Sequence, residues 1–527
     1  MKKYIRRVSR YIIADILFDI LCTVFAAYIP VMHKELFDSL AQGTLSRIPA
    51  ITAVFIVLQG LSCACVYLCM LCTWKIAITF ETAMKKDLIS ALLHKEKQSF
   101  YAYSTNDYIS IQGNDITAIE QDYLTPWIDV FRSVNMFVIY AVVIVVYVDW
   151  RIALAIILSS LLVVIGPKIT GKIMSDKRMD YQNQMAAYIS CITDLLNGYK
   201  LVNRFTRNNL LKVHERTLHA TADKRYAYGR SKTLSLGIND AAIRIIQITS
   251  FICACALLIN GEISVGAGVA TFSYVSSFIS PLESILYDVS AIQSTDAVRK
   301  KFLHMISTGI RKDQPVPRKV ERGISLRNVD YHNGGFRIRI DSLDFERGKK
   351  YAIVGGNGCG KSTLLKLIMQ YLEPDSGTIS LDGIPICGLD TSACISYIDQ
   401  NEYIYHAGIR DNVTIFDSYP DARQQIRDVF WQKSADPEDV DCQKMSGGER
   451  QLIAFLRVAA QDTPIVLMDE PFAAMDVVNT KKVQDYLLES RDMADKTVII
   501  ITHDVSEATL AKYDAVVRAD AFRVCET

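Results

Sequence analysis

An excess of charge of one sign is missing from this chain. Across 527 residues, 58 Lys and Arg face 57 Asp and Glu, leaving a net charge of +1. That balance gives no support for a nucleic-acid partner and excludes an acidic tail. A disulfide framework is also missing. Seven of the thirteen cysteines (Cys22, Cys63, Cys65, Cys69, Cys72, Cys253 and Cys255) lie in apolar runs, where thiols serve as small hydrophobes. The other six are scattered through a segment that reads as cytosolic, where thiols stay reduced. Cys65, Cys69 and Cys72 share one helical face, and both buried packing and a metal or redox role are open to them. The first ten residues, MKKYIRRVSR, carry five positive charges ahead of an apolar stretch, but no small-residue cleavage site follows at signal-peptide distance. An uncleaved first membrane helix with a cytoplasmic N-terminus is expected.

Charged residues are scarce, at 22%, against 50% hydrophobic. The mean hydropathy of +0.16 excludes global disorder and suggests two solvents in one chain. Apolar runs near the ~20 residues that cross a bilayer fall at 11–31, 50–73, 131–148, 152–169, 238–260 and 265–286. The links at 149–151 and 261–264 are minimal, whereas 74–130 and 170–237 are long, rich in Lys and Arg, and poor in Pro and Gly. Helical patterns run through both long links. Positive charge places both termini and both long links in the cytoplasm. Six spans are expected in an all-α membrane domain, residues 1–304, followed by a polar linker at 305–322. Asp15, Asp19, Asp240, Arg244, Glu283 and Asp288 are polar intrusions into the spans or their ends. They either pair near the membrane edge or line a water-filled pathway suited to cationic or amphipathic cargo.

From 323 to 527 strand-like and helical runs alternate, as in an α/β P-loop NTPase domain. The strand Tyr351 to Val354 leads into Gly355-Gly356-Asn357-Gly358-Cys359-Gly360-Lys361-Ser362-Thr363, which opens a helix. This is a phosphate loop in its strand–loop–helix setting, with backbone N–H groups and a helix N-terminus turned to the phosphates. Lys361 should reach the β- and γ-phosphates of ATP, and Ser362 should ligate Mg²⁺. The strand Ile465 to Met468 ends in two carboxylates. Asp469 is placed to hold the Mg²⁺, and Glu470 to orient or deprotonate the attacking water.

Between these lies Met445-Ser446-Gly447-Gly448-Glu449. With it the chain resembles the ATP-binding cassette (ABC) transporters of the exporter half-transporter type. Their signature is matched with Met for Leu and Glu for Gln. The resemblance implies that Ser446, Gly447 and Gly448 bind ATP held by the opposite subunit, and hence a homodimer or a heterodimer with a related chain. It implies that Gln400 contacts the Mg²⁺ or the attacking water, that Asp476 is the aspartate of the loop after the acidic strand, and that His503 contacts the γ-phosphate. The family's adenine-stacking aromatic falls four residues after Val329, which gives Asn333. That residue cannot stack, so Tyr331 or His332 is expected to take the role. Ser434 to Lys444 lacks the Gly- and Glu-rich pattern of many exporters. Ser110 to Tyr123, Asn197 to Asn208 and Asn260 to Ala270 resemble loops of the exporter membrane domain. The implied function is ATP-driven export of an amphipathic small molecule, peptide or lipid from a cell membrane in which both protein and lipid are partners. An exporter that also trims leader peptides is not expected. Import on the exporter fold, for instance of a metal–siderophore complex, is the alternative.

Overall fold

The computed structural model describes residues 1–309, 315–317, 319–334, 336–400, 402–419 and 442–522. Part of the 305–322 stretch and residues 434–441 therefore lie outside the described residues, as does the side chain of Glu283. The chain forms two units. One comprises Met1–Ser90 and Thr105–Ile306, and the other Ala91–Ser104 and Ser307–Thr527.

The first unit is built of α1 (Lys2–Ala41), α2 (Ile48–Leu93), α4 (Thr105–Tyr147), α5 (Trp150–Asn197), α6 (Arg207–Ile259), α7 (Val265–Ser294) and α8 (Asp296–Ser307). The short α3 (Lys97–Tyr101) belongs to the second unit. At ~1.5 Å per residue the 53 residues of α6 extend ~80 Å, far more than a bilayer needs. Helices thus continue through the two long polar links, and only 198–206 separates α5 from α6. Among the described residues α1, α2, α4 and α6 are long and apolar enough to cross a membrane, while α5 and α7 contribute apolar stretches at Trp150–Ser159 and Val265–Val275. The tight links are set by capping: Asp149 accepts from the Arg151 N–H at 2.8 Å to start α5, and Ser264 accepts from the Ala267 N–H to start α7. Ile111–Asp115 and Glu120–Leu124 are π-helical turns within α4.

The core of this unit gathers Ala27, Tyr140, Ile246, Ala254, Tyr274 and Phe278. The Tyr274 hydroxyl donates to the Ala27 carbonyl at 2.6 Å. Asp15 is fully buried, and its partner comes from another helix: Arg132 Nη2 donates to Asp15 Oδ1 at 2.5 Å and to Thr73 Oγ1 at 2.8 Å, while Arg132 Nη1 reaches Asp129 Oδ1 at 3.0 Å. Asn135 donates to Asp19 at 3.0 Å. This polar seam joins α1, α2 and α4, because a lone buried charge would be far costlier than a bonded one. Asp240 and Arg244 pair with each other at 2.8 Å on an exposed face of α6. In the other polar intrusions named above, Asp288 is buried on α7.

The second unit carries two sheets. Strands β1 (Gly323–Asn333), β2 (Phe336–Glu346), β4 (Ser376–Leu381) and β5 (Ile384–Pro385) form an antiparallel sheet in the order β2-β1-β4-β5. Strands β3 (Lys350–Val354), β6 (Ile395–Ile398), β7 (Ile465–Asp469), β8 (Thr497–Ile501) and β9 (Ala515–Arg518) form a parallel sheet in the order β6-β7-β8-β3-β9. β3, β7 and β8 are buried along their whole length, as continuous Ile/Val-rich runs in a parallel sheet should be. Helices α9 (Lys361–Ile368), α10 (Ile409–Thr414), α11 (Gly447–Gln461) and α12 (Val477–Glu489) pack around it.

Residues 91–104 of the membrane-side sequence fold with this unit. Glu96 N donates to the Gly309 carbonyl at 2.8 Å, and Lys97 Nζ donates to the Met369 carbonyl at 3.1 Å while lying 4.9 Å from the centre of the Tyr371 ring. Tyr101 meets Tyr371 edge-on at 5.3 Å.

Candidate active site at the strand ends

The carboxyl ends of β3, β6, β7 and β8 lie side by side, the place where an open parallel sheet leaves a crevice for a ligand. β3 delivers the 355–363 loop, β6 delivers Gln400, β7 delivers Asp469 and Glu470, and β8 delivers His503. They surround a cleft of about 560 Å³ lined by Phe336, Asn357, Gly358, Gly360, Lys361, Ser362, Thr363, Gln400, Glu470 and His503.

Glycine is required at the mouth of the helix. Gly360 caps α9 at φ 103°, and a Cβ there would lie 2.7 Å from Ile338 and 3.2 Å from the Phe336 ring. Lys361 is 6% exposed, and its ammonium folds back on its own loop, donating to the Gly355 and Gly356 carbonyls at 2.8 and 3.0 Å. A terminal phosphate offers that ammonium stronger, charged acceptors in the same cleft. The Cys359 thiol is buried behind the loop, and Gly356 N donates to Asp520 Oδ1 at 2.8 Å.

Glu470 is the hub. Gln400 Nε2 donates to its Oε2 at 2.9 Å, and His503 Nε2 lies 2.5 Å from its Oε1. Its backbone takes φ 49°, a left-handed conformation that costs a non-glycine residue roughly 1–2 kcal/mol. Its N–H is held by the Ile501 carbonyl at 3.2 Å, so the parallel sheet maintains the strained turn. A water beside the carboxylate would meet a base, an amide and an imidazole together.

Asp469 is 3% exposed, and its Oδ1 has no hydrogen-bond partner among the described residues. Burial pushes its carboxyl above the ordinary range, the Ser362 hydroxyl pulls it back, and the Glu470 charge raises it further. A buried carboxylate with one unpartnered oxygen and a serine hydroxyl bonded to it, with the Gln400 amide just past the end of β6, is a hard-oxygen donor set that suits Mg²⁺.

Ser446, Gly447, Gly448 and Asp476 do not line this cleft. Ser446 caps α11 in a reciprocal box: Ser446 N donates to Glu449 Oε2 at 2.9 Å, and Glu449 N donates back to Ser446 Oγ at 3.4 Å. Glu at the family's Gln position therefore has a structural part. The glycines let the 473–476 turn approach, since a Cβ on Gly448 would lie 2.9 Å from the Ala474 carbonyl oxygen. Asp476 caps α12, accepting from Asn479 N at 2.7 Å.

The structure places the candidate aromatics of the first sheet differently with respect to the cleft. Asn328 takes φ 50°, and the pairing of β1 with β4 shifts between Arg327 and Asp330. This bulge turns Val329 and Tyr331 inward, and Tyr331 packs against the sheet core. The aromatic in the cleft is Phe336, at the start of β2. The sequence signal for it was only a Gly-Gly turn followed by an aromatic.

Comparison with known proteins follows the same line. The family model of the ABC transporter transmembrane region matches residues 12–282, and the model described as ABC transporter matches residues 338–473. An ATP-dependent lipid A-core flippase of Mannheimia succiniciproducens is 21% identical over 512 residues, covering 92% of this chain and 85% of the relative. The mesentericin-Y105 transport/processing ATP-binding protein MesD of Leuconostoc mesenteroides is 25% identical over 431 residues, covering 77% of this chain and 58% of that protein. The solved structure of a bacterial Atm1-family ABC exporter with ATP bound superposes with a TM-score of 0.81 at 18% identity, over 97% of this chain and 94% of the other.

Proposed function

The chain belongs to the ABC transporter family, and from that premise we propose how its residues drive export. It is a multi-pass membrane protein that binds and hydrolyses ATP to power transport, and as a half-transporter of exporter fold it pairs with another half-transporter. In our reading the partner is a second copy or a related chain. Each cleft holds the triphosphate on the 355–363 loop and Lys361, while Ser446, Gly447 and Gly448 close over it from the opposite protomer. Phe336 offers its ring to the base. Glu470 takes the proton of the attacking water, and Gln400 and His503 fix where that water and the γ-phosphate stand. Ser362, Asp469 and Gln400 would hold Mg²⁺, which when bound neutralises charge on the phosphates. The single observation carrying this reading is the meeting of Gln400 and His503 on Glu470 at the strand ends.

The ATPase unit, both termini and the polar extensions of the helices lie on the cytoplasmic side, as the Lys and Arg bias supports. The cargo is amphipathic. A named lipid A-core flippase and a named mesentericin transporter among the relatives support a lipid or a peptide, and the exporter fold favours efflux over the import alternative. The test is ATP-driven movement in inside-out vesicles of a labelled lipid, a labelled peptide and a metal–siderophore complex. Accumulation of the lipid or peptide supports export. ATP-driven accumulation only in right-side-out vesicles overturns it in favour of import.

A further inference from the structure

The polar seam of the membrane unit carries more negative charge than it neutralises. Arg132 directs Nε and Nη2 to Asp15, at 3.2 and 2.5 Å, and Nη1 to Asp129 at 3.0 Å, while Asn135 serves Asp19. Asp288 is left over. It is 6% exposed, and among the described residues its buried Oδ2 has no hydrogen-bond partner and no Lys or Arg pairs with it. The charge that acts on it is that of Asp129, which has the same sign.

Helix register explains that neighbour. α4 and α7 pack along each other in opposite directions. Tyr140 meets Tyr274 at 6.2 Å and Phe137 meets Phe278 at 5.0 Å; further along, Tyr123 lies 4.1 Å from the guanidinium of Arg299, on α8. Asp129 and Asp288 both fall between the last two contacts, level to within about a turn. Asp288 is 23 residues past Val265, where α7 starts, or ~35 Å along the helix. Against a hydrocarbon layer of ~30 Å it stands at headgroup depth, on the side that the orientation above makes cytoplasmic.

A buried carboxylate with neither a donor nor a counter-charge is costly, and a second carboxylate beside it adds to the cost. A cation that carries N–H donors cancels both penalties at once. At headgroup depth such a group belongs to an amphiphile whose tail stays in the hydrocarbon. Resting on the export reading above, we propose that Asp288, with Asp129 adding its field, seats the protonated primary amine of an amphipathic cargo that enters from the cytoplasmic leaflet. A cargo with a neutral head leaves Oδ2 unpaired and is disfavoured for that reason.

The test is equilibrium binding, without nucleotide, to the full chain in phosphatidylcholine nanodiscs. The probes are a fluorescent long-chain primary amine and its N-acetylated form, with binding to empty nanodiscs subtracted. The wild type should hold the amine at least about tenfold tighter, as a charge-assisted hydrogen bond would give. Asp288→Asn keeps the size and removes the charge, and should bring the two probes within about twofold of each other. Asp288→Glu should restore most of the preference. A wild type that binds both probes alike overturns the proposal without any variant. So does a folded Asp288→Asn that keeps the preference, the result expected if Asp288 merely carries its own proton, and so does an equal loss of both probes. ATP-driven movement of neither probe in inside-out vesicles, with the binding preference intact, overturns the export reading instead.

Discussion

Replacing Glu470 by glutamine isolates the chemical step from everything around it. The amide is nearly isosteric, so its oxygen can stand in for Oε2, which now accepts from Gln400 Nε2 at 2.9 Å, and the side chain can still meet His503 Nε2, now 2.5 Å from Oε1. The strained φ of 49° belongs to the backbone and to the Ile501 carbonyl that holds it, and neither is altered. What disappears is the ability to accept a proton from water. A positioned general base is worth ~100- to 10,000-fold, or roughly 3–5 kcal/mol of barrier. Glu470→Gln should therefore lower steady-state phosphate release at least ~100-fold while leaving ATP affinity within about threefold. The measurements are phosphate release by the reconstituted chain and retention of labelled ATP after rapid gel filtration. The variant should retain unhydrolysed ATP in a closed pair. Turnover within about tenfold of wild type would refute the assignment of Glu470 as the base. If His503→Ala then abolished turnover, the imidazole would take that role.

Three further substitutions have expected outcomes. Phe336→Ala should raise the KM for ATP about tenfold at unchanged kcat, the worth of one lost aromatic stack. Tyr331→Leu should leave both within about twofold, and the reverse pattern in ATPase titrations would return the adenine platform to Tyr331. In the sheet, Asp382 accepts from the backbone N–H groups of Glu321, Arg322 and Gly323 at 2.8, 2.7 and 2.9 Å. Burial pulls its carboxyl upward, but the three N–H donors outweigh this and hold it below the usual range. Asp382→Ala should cost ~1–2 kcal/mol at pH 7, allowing for its partial exposure. Because the folded form binds this proton more weakly than the unfolded chain, the stability is present above the ordinary carboxylate pKa of ~3.9 and is lost as pH falls through the lower folded value. Thermal unfolding should show the deficit shrinking below about pH 4, and a deficit independent of pH would contradict the account.

The residues gathered at the strand ends were legible because each belongs to a short, local pattern whose chemistry dictates its spacing. The 355–363 loop needs glycines at fixed offsets for backbone amides to turn inward, and Asp469 and Glu470 end a strand that burial makes uniformly apolar. What the sequence did not reveal depends on register or on long-range pairing. The bulge at Asn328 sets Tyr331 half-buried against the core, while Phe336 lines the cleft, and a single left-handed asparagine has no periodic signature. Asp15 and Asp19 are one turn apart and invite a local reading, yet Asp15 binds Arg132, which is 117 positions away. The hydrogen bonds of Arg457 to the Tyr403 and Asn412 carbonyls are equally invisible, since their acceptors are backbone groups that any residue could supply. Ser110 to Tyr123 lies in a long link whose helical pattern was legible, but its two π-turns were not.

The ATPase unit borrows fourteen residues, 91–104, from far upstream. Cutting the gene where the apparent boundary falls, near 307, would strip Tyr371 of both the Tyr101 edge and the Lys97 cation and leave the Met369 carbonyl without its donor. Such a fragment would carry a raw apolar scar where a helical peptide belongs. Anyone seeking the motor by itself should graft that peptide back, by tether or by addition, before concluding anything from the behaviour of the severed half.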